Sequence, residues 1–325
     1  MRFHRKLSYL LATLAAAVTP AVAAPTCNLD NEVAQKLNLP IYEWSDPSAP
    51  SKGTVVAIHG LTFYAAAYDD FAKHLAEKGY KVYAADMRGF GRWKDEHEKF
   101  KGDDKIHFTQ STDDVVAILK YLKGQNSSDK IICMGESLGA NIALLVAAEH
   151  PELVDGAIVS APCVKTCVHP SPRWAVDFWK GLIHPNKPFN LEPYIEPYLS
   201  SNKDLTKACM ADQKIMRSMS VVELIKAMKT NKLAIDKIDS IPNSMPLLVM
   251  AGKKDQVVKA SALPPLVSRL KIKDKTLNIV PNHGHLMIEH QSLDKDVAKV
   301  VDTWLDKHQP PSQTVASSVT SATTP

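Results

Sequence analysis

The stretch Ile131-Ile132-Cys133-Met134-Gly135-Glu136-Ser137-Leu138-Gly139 joins a short apolar run to an apolar, helix-spaced segment, Ala140–Ala148. The run has the length and β-branched content of a buried strand, so the serine falls in the turn between a strand and a helix. G-x-S-x-G in that setting is the pattern of a sharp turn that lifts one hydroxyl above a sheet edge. The turn forces the serine backbone into a sparsely populated conformation. Glycines on either side leave room for neighbouring elements to close in. The helix N-terminus favours negative charge developing beside the hydroxyl. Ser137 is therefore the candidate nucleophile.

Similar apolar runs recur on both sides of this turn: Thr54–Ile58, Lys81–Ala85, Lys130–Met134, Gly156–Val159, Leu247–Ala251 and Thr276–Val280. Helical spacing marks the stretches between them, roughly Tyr68–Lys78, Thr112–Lys123, Leu138–His150, Ala260–Leu270 and Leu293–His308. Strands that alternate with helices predict an α/β fold, a mostly parallel, doubly wound sheet with right-handed crossovers. The alternation breaks between about Pro162 and Pro242, a segment rich in Pro, aromatics and Met that reads mostly helical. It is expected to be an insertion above the C-terminal edge of the sheet. With 325 residues, 45% of them hydrophobic, the chain supports one sizeable domain carrying a smaller inserted one. The expected organisation is a core of residues 24–161 and 243–308, a helical cap of residues 162–242, and flanking segments 1–23 and 309–325.

A serine hydroxyl is a weak nucleophile and needs a base, which a third group must orient. In a sheet of this kind both partners belong on loops after later strands, acid before base. The strand Leu247–Ala251 runs into Gly252-Lys253-Lys254-Asp255, and Thr276–Val280 runs into Pro281-Asn282-His283-Gly284-His285. Asp255 and His285 are the candidate acid and base. His285 is preferred over His283 because Leu286-Met287-Ile288-Glu289 follows it and is read as the start of the last helix; His283 is expected to face solvent or brace the loop. Asp236 and Asp239 precede the strand and read as solvated surface charges. His59-Gly60-Leu61 follows Thr54–Ile58. The backbone N–H groups of Leu61 and Leu138 are the candidate oxyanion hole, and His59 is expected to brace its loop.

The set His59-Gly60-Leu61, Asp86-Met87-Arg88-Gly89-Phe90-Gly91, Gly135-Glu136-Ser137-Leu138-Gly139, Ala251-Gly252-Lys253-Lys254-Asp255 and Lys273 through Gly284-His285 to Glu289 resembles the monoacylglycerol lipase and lysophospholipase group of α/β hydrolases, also called serine aminopeptidase S33-like hydrolases. The resemblance runs from about Ile41 to Lys307. It implies the α/β-hydrolase fold, a helical cap over the site and no cofactor. The chain departs from the group after His59-Gly60-Leu61, where Thr62-Phe63-Tyr64 replaces an acidic or His-rich continuation, and at Trp93, near a position that commonly holds Ser.

The cap carries Trp174, Phe178 and Leu182 at helical spacing, with Trp179 and Ile183 beside them and Met210, Met216, Met219 and Met228 further on. Such side chains suit a pocket for a pliable acyl chain or an aromatic ester, and equally the cap's own core. Trp174, Phe178 and Trp179 are candidate substrate contacts, and Trp174 and Trp179 a candidate transient contact with a lipid surface. The expected activity is hydrolysis of carboxylic esters, small-molecule acyl esters of the monoacylglycerol or lysophospholipid type. A peptidase or thioesterase on the same three residues is the alternative within the enzymes, and a non-catalytic binding protein the alternative outside them. A proline-specific peptidase usually has Trp or Gln where Leu138 stands, and dehalogenases and epoxide hydrolases need Asp at position 137.

The N-terminus starts basic (Arg2, Arg5, Lys6), continues apolar from Leu7 to Val18, and reaches small residues at Ala21-Val22-Ala23. This is the pattern of a signal peptide cleaved after Ala23, which predicts a periplasmic or secreted protein. Removing those three basic residues takes the formal charge from +4 to near +1, which gives no reason to expect nucleic acid as a partner. Export would place Cys27, Cys163, Cys167 and Cys209 in an oxidising compartment, so disulfides are expected among them, with Cys133 buried and free. The cysteine and histidine spacing does not suggest zinc or another metal. The tail 309–325, nearly all Pro, Ser, Thr, Ala and Val, reads as disordered.

Overall fold

A computed structural model describes residues 24–308 except 101, 126–128, 168–171 and 291. The expected leader, residues 1–23, and tail, residues 309–325, lie outside the described residues. The described residues form ten strands: β1 (Thr26–Asn28), β2 (Ile41–Ser45), β3 (Gly53–Ile58), β4 (Tyr80–Ala85), β5 (Ile131–Glu136), β6 (Gly156–Ser160), β7 (Phe189–Asn190), β8 (Ser218–Met219), β9 (Leu247–Gly252) and β10 (Lys275–Val280). Eight of them form one sheet in the order β1-β2-β4-β3-β5-β6-β9-β10. The six runs read from the sequence are its parallel strands, each within two residues of the expected ends. The antiparallel edge, β1 and β2, lies outside those six runs.

The sheet order explains where a site can form. From β3 the chain winds outward to β4, then returns to place β5 on the other side of β3. Two crossovers thus part between β3 and β5, leaving a crevice beyond their carboxyl ends. The register keeps the neighbouring strand ends level: Ile58 pairs with Gly135, Glu136 with Ser160, and Gly252 with Val280. The loops carrying His59-Gly60-Leu61, Ser137, Asp255 and His285 therefore leave the sheet along one edge.

Burial follows composition. β3, β5, β6 and β9 are buried at every residue, as parallel strands covered on both faces must be. The helix Leu138–Glu149 is apolar on all sides and buried from Leu138 to Ala148. It is sandwiched between the sheet and the helix Val221–Lys237, which opens on a Ser220–Glu223 capping box. On the opposite face, Phe71 and Leu75 from Asp69–Glu77 and Val301, Trp304 and Leu305 from Lys295–Lys307 close a second core. Each such side chain contributes roughly 1.5–3 kcal/mol through burial.

Between β6 and β9 the chain forms the helices Pro172–Ile183, Glu192–Ile195, Lys203–Ala211 and Val221–Lys237 and the small β7–β8 ribbon. Two expectations are corrected here. No disulfide forms: all five cysteines are free thiols. The Cys163 peptide is pinned by Asn141, while Cys167 donates its N–H to Val257 O beside a Thr166–Val258 bridge, so the short segment is held at both ends on different neighbours. Cys209 is packed among Phe63, Leu199 and Leu205, and Cys27 is exposed on the edge strand β1. The last helix starts at Lys295, not at Leu286. The amides of Met287, Ile288 and Glu289 donate to the Glu136 carboxylate instead of entering a helix.

Candidate active site

Ser137 occupies the turn between β5 and the helix Leu138–Glu149, with φ 55° and ψ −117°. A residue with a side chain rarely adopts this conformation, and the surroundings impose it. Ser137 N–H donates to Ser160 O, and a Cβ at Gly139 would run into the Ile58 carbonyl. Glycine at 139 is what lets the helix pass so close to the end of β3.

His285 Nε2 lies 3.0 Å from Ser137 Oγ, and its Nδ1 lies 2.8 Å from Asp255 Oδ2. The Asp255 side chain is fully buried. Its other oxygen accepts the N–H groups of Val257 at 2.8 Å and Val258 at 2.9 Å, which fixes the carboxylate with one face toward the imidazole. That bond assigns the Nδ1–H tautomer and leaves the Nε2 lone pair for the serine hydroxyl. The three residues are 30 and 148 positions apart in pairs, and the level strand ends bring them together.

The rivals are placed elsewhere. His283 donates toward Pro281 O and pairs with Asp294 at 2.7 Å, bracing its loop against the start of the last helix. Asp236 pairs with Lys232 and Asp239 with Arg269, both exposed. His59 is completely buried. Its Nδ1 meets Gly60 O at 2.8 Å, and its Nε2 accepts the Met87 N–H at 2.8 Å. Burial lowers its pKa to about 4, so it stays neutral as a brace between two loops. The Asp86 carboxylate accepts the N–H groups of Ala65 and Arg92, which ties the Asp86–Gly91 turn to the segment after Leu61. Burial raises its pKa to about 6.

Leu138 opens its helix, where an N–H has no acceptor within the helix. The loop bearing Leu61 lies against the serine: a Cβ on Gly60 would be 3.4 Å from Ser137 Cβ. The segment between β6 and β9 packs against both loops. Phe63, Tyr64 and Ala67 from the segment after Leu61 and Leu286 from the segment after His285 form one apolar cluster with Leu199, Leu205, Cys209 and Ile215. Trp179 is 66% exposed, on the outer side of Pro172–Ile183 with Val176, Leu182 and Ile183. Trp174 and Phe178 belong to the same helix, their side chains outside the described ones. Met219 is fully buried and Met228 is 68% exposed.

Sequence reasoning missed three neighbours of the serine. Cys163 Sγ stands 3.6 Å from Ser137 Oγ. Glu136 and Glu289 are both fully buried. The signal was available for Glu136, a carboxylate at the end of an otherwise apolar strand.

An eight-stranded, mostly parallel sheet with a serine turn at its switch point defines an α/β hydrolase. Within that class the chain belongs to the family described as serine aminopeptidase, S33, whose model matches residues 49–291. It is 24% identical over 277 residues to a monoacylglycerol lipase of Mycolicibacterium smegmatis, covering 82% of this chain and 93% of that one. It is 25% identical over 247 residues to a monoglyceride lipase of Homo sapiens, covering 74% and 78%. In fold it is similar to the crystal structure of a monoacylglycerol lipase from Paleococcus ferrophilus, with a TM-score of 0.67 at 23% identity over 83% of this chain and 99% of that one.

Proposed function

We propose that this protein, a carboxylic ester hydrolase, cleaves monoacylglycerol- or lysophospholipid-type esters, or other small acyl esters, through an acyl-enzyme on Ser137. The observation that carries the reading is the unbroken series from Ser137 Oγ through His285 to the buried Asp255 carboxylate, at 3.0 and 2.8 Å. His285 Nε2 takes the hydroxyl proton as Oγ attacks the ester carbonyl carbon, and Asp255 stabilises the resulting imidazolium. The carbonyl oxygen becomes an oxyanion between the Leu61 and Leu138 amides. Collapse expels the alcohol, which leaves with the proton from His285, and the acyl group stays on Ser137. Water then attacks the acyl carbon while giving a proton to His285. A second collapse frees the acid and returns the proton to Ser137.

The apolar cluster shared by the cap and the two flanking loops supports an acyl chain as the group held beside Ser137. Relatives named for monoacylglycerol support a glyceryl head group. The exposed Val176, Trp179, Leu182 and Ile183 on the outside of the cap support transient contact with a lipid surface. The basic and apolar start of the sequence supports export by residues 1–23, which N-terminal sequencing of the mature protein tests.

A fluorophosphonate probe is expected to label the wild type and not Ser137→Ala. Turnover of p-nitrophenyl esters and monoacylglycerols of graded chain length then reads the substrate. Absence of labelling rejects the acyl-enzyme. Turnover confined to short p-nitrophenyl esters rejects the lipid substrate and leaves a general esterase.

A further inference from the structure

Two carboxyl groups are sealed beside Ser137 and take no part in the proton path. Glu136 precedes the serine in sequence. One of its oxygens accepts Ser160 Oγ–H at 2.6 Å and Met287 N–H at 3.0 Å, and the other accepts Glu289 N–H at 3.0 Å. Glu289 points back across the site: its two oxygens lie 3.0 and 2.9 Å from the N–H of Gly60. The turn bearing Ser137, the segment after His285 and the loop bearing Leu61 are thus tied together through two side chains.

Burying two carboxyl groups side by side is costly unless one is neutral or richly hydrogen-bonded. Glu136 collects donors from a hydroxyl and the backbone, the environment of a carboxylate. Burial raises the pKa of both groups, and the neighbouring Glu136 raises that of Glu289 further.

Resting on the acyl-enzyme reading above, we propose that Glu136 and Glu289 are positioning residues that hold His285 and the Leu61 amide in register with Ser137. Glu136 fixes the segment after His285 to the residue next to the nucleophile. Glu289 fixes Gly60, and through it the adjoining Leu61 N–H. An oxyanion exists only after attack, so a displaced Leu61 amide lowers kcat and leaves ground-state binding largely alone.

The test compares Glu289→Gln, Glu289→Leu and Glu136→Gln with the wild type, by p-nitrophenyl butyrate kinetics, fluorophosphonate labelling rate and thermal unfolding. Glu289→Gln keeps an oxygen acceptor for Gly60, so kcat is expected within about three-fold of wild type. Glu289→Leu removes the acceptor, and kcat is expected to fall about ten-fold or more with KM within about two-fold. Glu136→Gln turns an amide N–H toward backbone donors and is expected to lower kcat about as much. Where Glu289→Leu does not fold, Glu289→Asp, which draws the acceptor back by one methylene, takes its place. Equal losses in Glu289→Gln and Glu289→Leu, a rise in KM in place of the fall in kcat, or wild-type kcat in Glu289→Leu overturns the proposal. The labelling rate reads the same positions if p-nitrophenyl butyrate is a poor substrate. An unlabelled wild type rejects the acyl-enzyme and this proposal together, whereas a labelled wild type with indifferent variants rejects this proposal alone.

Discussion

Cys163 Sγ lies 3.6 Å from Ser137 Oγ, and the Asn141 side chain holds the Cys163 peptide by both its N–H and its carbonyl. The thiol is thus fixed over the serine. Burial pushes its pKa up to about 11, so near neutral pH it is an unreactive thiol. Iodoacetamide is expected to inactivate the protein slowly at pH 7 and faster as pH rises toward 9, with Cys163 carrying the label. Cys163→Ala is expected to stay active and resist the reagent. Peptide mass spectrometry against residual activity checks this; inactivation of Cys163→Ala at the wild-type rate would refute it.

Asp255→Asn keeps the shape of the acid but can offer its amide N–H to the imidazole. The tautomer with a proton on Nε2 then becomes favoured, and the base toward Ser137 is lost. A fall in kcat of about 10⁴-fold is expected. Thermal unfolding should change little, because Val257 and Val258 still find an oxygen acceptor. Steady-state kinetics beside a melting curve separates the two effects.

What could be read from the sequence, and what could not, divides along physical lines. Parallel strands such as β5 and β9 are buried on both faces, so they read as unbroken apolar runs. Ser137 and Asp255 each follow such a run, His285 follows the half-buried edge strand β10, and their order along the chain is legible. β1 and β2 form the antiparallel edge: β1 has three residues, all exposed, and β2 mixes Glu43 and Ser45 with Trp44. Neither pattern stands out from a loop. Glu136 stands out in sequence as a carboxylate closing an apolar strand, but Glu289 is tied to the backbone N–H of Gly60, 229 residues away. Backbone partners leave no residue-type signature. Cysteine count suggests disulfides, but pairing depends on geometry, and all five thiols are free.

Gly139→Ala is expected to destabilise the fold at the point where the helix crosses β3. The new methyl would meet the Ile58 carbonyl and the His59 carbonyl, both main-chain atoms that cannot step aside. Separating the helix from the strand opens the packing of Leu138, Ala140 and Ile142. A loss of about 2 kcal/mol or more is expected. Urea unfolding gives the number directly, and a midpoint equal to the wild type's would contradict the close approach.

The His283–Asp294 pair sets a pH dependence of stability separate from catalysis. Burial, the largest single influence, lowers the His283 pKa, but the hydrogen bonds to Asp294 and Pro281 O and the Asp294 and Asp296 charges together outweigh it and the net shift is upward. For Asp294 burial acts upward and is the largest single influence, and the bond to His283, the His283 charge and the N–H groups of Val297 and Asp296 together bring the net shift down. A histidine with a raised folded pKa stabilises fully below its unfolded value of about 6.5, and the gain fades as pH climbs through the folded value. An aspartate with a lowered folded pKa stabilises above its unfolded value of about 3.9, and that gain fades as pH falls through the folded value. The pair therefore contributes most between roughly pH 4 and 6.5. The gap in unfolding midpoint between wild type and His283→Ala is expected to be widest near pH 5.5 and to narrow by pH 9. Urea titrations at those two pH values check the sign, and a gap that widens at the alkaline end would show that the pair does not carry the charge assigned to it.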